Sequence, residues 1–85
     1  VSYEYQRERE KLFTESGADM LIIIRDNVNR LLNTAGAFRA DASWRGVIGD
    51  TWTMLAALDY LVERGEIREI SSGTAGQHRV FVRAE

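Results

Sequence analysis

The chain predicts a mainly α fold closed by a small β-hairpin, an α+β class. Three observations carry this. A segment with one apolar stripe, residues 51–63, runs into Gly65. Two short strand-like runs, 66–71 and 77–83, flank the loop Ser72-Gly73-Thr74-Ala75-Gly76. Upstream, Leu21, Ile24, Val28, Leu31 and Leu32 recur at helical spacing, which places them on one buried face of a second helix.

Residues 3–15 read as a charged helix, with Glu4/Arg7, Glu8/Lys11 and Lys11/Glu15 at spacings that allow weak ion pairs. Its apolar seam is thin, Tyr5, Leu12 and Phe13, and so polar a helix is marginal alone in water. The seam leans either on the domain core or on a second copy, and the second choice predicts a homodimer through this helix. Ser16-Gly17-Ala18-Asp19 has the spacing of a helix start, with the serine accepting from an early amide and Asp19 at the positive helix end. The next helix is expected over residues 17–33, with Asn27, Asn29 and Arg30 on its wet side and Thr34-Ala35-Gly36 as its stop.

Ala37-Phe38-Arg39-Ala40 is a short extended link with Phe38 turned inward. Asp41 is suited to cap a short helix over 42–47, with Trp44 packing inward. Gly49 and Asp50 then form the turn into the main helix, with Asp50 as N-cap. At 100° per residue, Thr51, Leu55, Leu58 and Val62 form one side of that helix, widened by Met54 and Leu61. The opposite line is Thr53, Ala57, Tyr60 and Arg64, with Trp52, Ala56, Asp59 and Glu63 at the margins. The organisation expected is a charged helix over 1–16 and a domain over 17–85.

Size and composition narrow the class. Eighty-five residues make one small domain, and 45% apolar content fits a globular chain. With no cysteine, disulfides, thiolate nucleophiles and cysteine metal sites are excluded. No apolar run exceeds five residues, the length of 20–24, far short of the roughly 20 residues that span a bilayer, so no membrane partner and a cytoplasmic location are expected. The net charge of −2 is spread evenly, and ten of the eleven basic residues are arginine, the better phosphate ligand. His78 is the sole histidine, and no acidic cluster, phosphate loop or nucleophile elbow accompanies it. An enzyme is not expected, nor is a cofactor or metal.

The helix carrying Leu55, Leu58, Leu61 and Val62, then Gly65, Ile67 and the return strand Arg79-Val80-Phe81-Val82, resembles the winged helix-turn-helix. The likeness covers about residues 18–84, with the charged helix as an N-terminal addition. It implies a third strand at Phe38 and a small transcriptional regulator that contacts duplex DNA through the helix around 50–64 and the wing around 71–79. The residues it places at DNA are Arg45, Trp52, Thr53, Ala56, Tyr60, Gln77, His78 and Arg79, with helix residues nearest the bases and Arg45 and the wing on the backbone. The first three turns of that helix lack Arg, Lys, Asn and Gln, the side chains that read bases bidentately. A winged-helix protein-interaction module without nucleic acid is therefore the alternative, with Trp52 and Tyr60 as its anchors.

Overall fold

The computed structural model describes residues 2–73 and 76–84, so Thr74 and Ala75 of the predicted loop lie outside the described residues. The elements in order are α1 (Tyr5–Glu8), a 3-10 turn (Arg9–Phe13), α2 (Glu15–Ala35), β1 (Ala37–Arg39), α3 (Ala40–Ser43), α4 (Thr51–Glu63), β2 (Ile67–Glu69), a 3-10 turn (Gly76–His78) and β3 (Val80–Arg83). Helices dominate, and the strands form one antiparallel sheet in the order β1-β3-β2. The α+β class expected from the pattern is what the chain adopts.

The first departure is at the N-terminus. The predicted single helix is instead a short α1 and a 3-10 turn, and the chain breaks at Thr14, which is extended at φ −85° and ψ 165°. Thr14, not Ser16, caps α2: its Oγ1 accepts from the Gly17 amide at 3.1 Å. Both residues are capping types, and the earlier one starts α2 two residues before the expected position. At the far end Gly36 adopts φ 79° and donates to the Leu32 carbonyl at 3.0 Å, a left-handed stop that only glycine takes without strain.

Phe38 turns inward from β1 and stacks on Phe81 of β3 with ring centroids 5.5 Å apart. These two residues face each other in the sheet register, and Glu69 of β2 lies opposite Phe81 from the other side. α3 begins at Ala40, whose amide donates to the Arg79 carbonyl at 2.8 Å, so Asp41 sits in its first turn rather than capping it. Asp50 does cap α4, accepting from the Trp52 amide at 3.0 Å. Both strands are shorter than the runs 66–71 and 77–83: β2 keeps only Ile67–Glu69, and β3 starts at Val80 because Gln77 and His78 are taken into a 3-10 turn.

The core joins all layers: Ile24, Val28 and Leu32 of α2, Phe38, Leu55, Leu58 and Leu61 of α4, Ile67 and Phe81. Leu12, from the 3-10 turn, is 1% exposed in the same cluster. The N-terminal segment thus contributes Leu12 to the same core as α2, α4 and the sheet.

Candidate functional site

The site is built around α4. A surface helix ordinarily buries one stripe and wets the rest. Here seven of thirteen residues are buried, Thr53, Met54, Leu55, Ala56, Ala57, Leu58 and Leu61. The consecutive run 53–58 takes in every direction around the axis, so a second layer must lie over the side away from the core. That layer is the N-terminal segment, a strap over residues 2–14.

The strap meets α4 through its carboxylates and rings. The Tyr3 hydroxyl donates to Asp59 at 2.6 Å, and the Tyr5 hydroxyl donates to Glu63. Arg9 Nε donates to the same Glu63 carboxylate at 3.0 Å, and its guanidinium lies 5.1 Å from the Phe13 ring centre and 5.5 Å from that of Tyr60. Phe13 meets Tyr60 edge-on at 5.9 Å. Arg7 stands over Trp52 at 5.9 Å, and Lys11 lies 3.6 Å from Asp50. Both acids of α4 and its capping aspartate thus each find a phenol or cation of the strap.

These contacts set the protonation states. Burial and then the bond to Glu63 push the Tyr5 phenol up to about 12, and burial with the Asp59 contact pushes Tyr3 higher still. The Tyr5 and Arg9 bonds hold Glu63 below the usual carboxylate range. Behind Asp59 sits Arg79, whose side chain is only 15% exposed and reaches Asp59 at 2.7 Å and Glu69 at 2.8 Å. Burial opposes the Arg79 charge, but its bonds to those two carboxylates outweigh it and raise its pKa. The same arginine lowers that of Glu69.

The residues singled out from the sequence fall into three places. Trp52 and Tyr60 are half-buried under the strap. Thr53 and Ala56, expected at an open surface, are 6% and 0% exposed; Thr53 lines a cleft with Lys11 and Thr14, and Ala56 belongs to the core cluster. Gln77 and His78 are exposed on the turn before β3, where His78 Nδ1 lies 2.8 Å from the Arg39 guanidinium. Arg79, next in sequence, turns inward to its two carboxylates instead of outward. Arg45 is apart from all of these. It is exposed, without an ion pair among the described residues, on a groove of about 490 Å³ between α2 and α3 that Asn27, Arg30 and Asn33 also line.

Sequence reasoning missed Tyr3, Asp59 and Glu63. A signal existed: two tyrosines in a polar segment, and two acids four apart on the line of α4 thought to be wet. Large apolar side chains do reach solvent, above all Ile48, 97% exposed in the loop before α4, with Ile22 at 64% and Ile23 at 47% on α2. Among the described residues no group of three His, Cys, Asp or Glu could hold a metal ion, and no helix is long and apolar enough to cross a membrane. No protein-family model, curated protein or solved structure matches this chain.

Proposed function

We propose that the chain is a winged-helix domain serving as a protein-interaction module, with the groove-facing side of α4 given over to its own N-terminal strap. The element order supports the winged-helix reading. Helix, strand, short helix, helix and hairpin follow in sequence, and β1 joins the hairpin as the outer neighbour of β3. One observation carries the interaction reading: the side of α4 that a recognition helix would lay in the major groove is covered, and it bears Asp59 and Glu63. Uncovering it would present two carboxylates to phosphates. Arg79, the wing cation that the resemblance assigns to the DNA backbone, is already held by two carboxylates. Ile22, Ile23 and Ile48 remain as exposed apolar side chains for a protein partner.

A second reading, a cytoplasmic regulator that grips duplex DNA by its backbone, draws on Arg45 and its neighbour Arg30 across the α2–α3 groove. One titration separates the two. Anisotropy of mixed-sequence duplex DNA, run at about 50 mM and about 200 mM salt, is expected to show no salt-dependent binding. Tight binding at the lower salt that collapses at the higher, with a slope reduced by about one in Arg45→Ala, overturns the interaction reading in favour of DNA.

A further inference from the structure

Most arginines of this fold find a carboxylate, as Arg9 finds Glu63, Arg25 finds Glu66 and Arg79 finds both Asp59 and Glu69. The groove of about 490 Å³ between α2 and α3 departs from that pattern. Among the described residues its walls hold Arg30 and Arg45 and no acid, although the chain carries 13 acids and a net charge of −2. Arg83 borders it from β3, its Nη2 donating to Asn33 Oδ1 at 3.0 Å. Arg30 donates to the Asn27 amide oxygen, and its one carboxylate contact, Asp26 at 3.4 Å, lies outside the lining between two largely exposed side chains. Three arginines thus meet at one groove. Two rest on neutral amide oxygens, and Arg45 has no hydrogen-bond or ion-pair partner among the described residues.

We infer that the α2–α3 groove is a docking site for an acidic segment of a partner protein, whose carboxylates are held by Arg45 and by the arginines that Asn27 and Asn33 carry. A guanidinium matches a carboxylate in plane and spacing, so an incoming acid replaces a neutral acceptor, or none, with a charged one. Half-buried Leu31 and Ala42 add apolar contact on the walls. Ile23, 47% exposed, precedes Asn27 by one turn and shares a line of α2 with Arg30. The seven residues between Ile23 and Arg30 rise about 10 Å along the helix. Extended chain covers that distance in about three residues. The segment that fits therefore carries a large apolar side chain and, about three residues on, its acids.

A polyanion suits the same groove less well. Asp26 and Asp41 each precede a lining residue, Asn27 and Ala42, and both carboxylates are open to solvent. Phosphates that continue past the groove meet like charge there, whereas a peptide with a few acids ends before them. The inference rests on the protein-interaction reading of this domain and adds to it the chemistry of the partner and the place where it binds.

The probe is a short labelled peptide with one leucine and, about three residues on, adjacent glutamates; the same peptide with glutamines is its control. Titrated with the full chain at low salt and followed by anisotropy, the glutamate peptide is expected to saturate and the glutamine peptide not to bind. The side-chain amide resonances of Asn27 and Asn33 should shift as their arginines turn to the ligand. Arg45→Gln, at an exposed position that supports nothing in the fold, should weaken the glutamate peptide about fivefold, the upper range for an exposed ion pair. Arg68→Gln removes the same charge from an exposed position in register with Val82, on the sheet face opposite Arg83, and should leave affinity unchanged. No saturable binding of the glutamate peptide, equal binding of the control, or equal losses in the two variants overturns this inference alone. Duplex DNA that displaces the peptide, and is itself weakened by Arg45→Gln, overturns it together with the interaction reading.

Discussion

On one side of α4, Met54, Leu55, Leu58 and Leu61 lie in the apolar cluster with Ile24, Val28 and Phe81. On the other, Tyr3, Tyr5, Arg9 and Lys11 reach carboxylates, and aromatic rings fill the space between. The two sides are covered by different physics, the first dry and the second partly open to water. The core side depends on apolar area and shape, which do not titrate. The strap side depends on hydrogen bonds and charges at half-exposed positions, where each contact is individually weak and titratable. One helix therefore carries a rigid face and a conditional one.

The largest effect should come from the core side. Phe81 is 0% exposed, stacks on Phe38 and lies at the centre of the sheet. Phe81→Ala is expected to cost about 3–5 kcal/mol, close to the whole stability of so small a domain. Thermal melting followed by circular dichroism checks this. A loss confined to the strap, with the helical signal unchanged, would mean that the two sides are not divided as described.

Arg79 is the tie between the sides, since Asp59 receives it from within the fold and Tyr3 from the strap. Arg79→Met keeps the aliphatic bulk and strands Asp59 and Glu69 as neighbouring carboxylates. The expected destabilisation is about 1.5–3 kcal/mol, the range for hydrogen bonds to charged groups. It should be larger at neutral pH than near pH 4, where a free carboxyl begins to take up its proton. Equal losses at both pH values would show that bulk, not charge, holds the sheet to α4.

How far the sequence discloses this arrangement differs between the two sides. The core side is largely plain from spacing: Met54, Leu55, Leu58 and Leu61 of the expected stripe are buried, although Thr51 is exposed and Val62 half-buried, and the Asp50 cap, the Gly65 stop and the inward turn of Phe38 stand where pattern places them. The strap side is not, because a helical wheel presumes one buried stripe and Thr53 and Ala57 fall opposite it. The run Met54-Leu55-Ala56-Ala57-Leu58 held the missing information, since a helix apolar all round is buried all round. Small residues within such a run suit close approach of another segment. Arg79 was unreadable for another reason. Its partners, Asp59 and Glu69, are brought to it only by the sheet register and the packing of α4. The choice of Thr14 over Ser16 as cap turns on a backbone approach at Gly17 that no local spacing encodes.

The smallest effect separates the two sides most cleanly. A free tyrosine phenol ionises near 10, and Tyr5 in the fold is pushed up to about 12 because burial, and then its bond to Glu63, disfavours the phenolate. Tyr3 shifts in the same direction. A group whose pKa rises on folding contributes its stabilisation in full below the unfolded value and loses it as pH climbs through the folded one. The strap should therefore loosen as pH rises from about 10 towards about 12. Over that window the apolar side of α4 has nothing to titrate, and Arg79 stays charged. Trp52, beneath Arg7, reports the strap, and Trp44→Phe silences the other tryptophan. Its emission should change across this window while the far-ultraviolet helical signal persists, and Tyr5→Phe should remove the Tyr5 part of the change and leave the part due to Lys11 and Tyr3. Emission and helix lost together in one step would mean that the conditional face is as much a part of the core as Leu58 is.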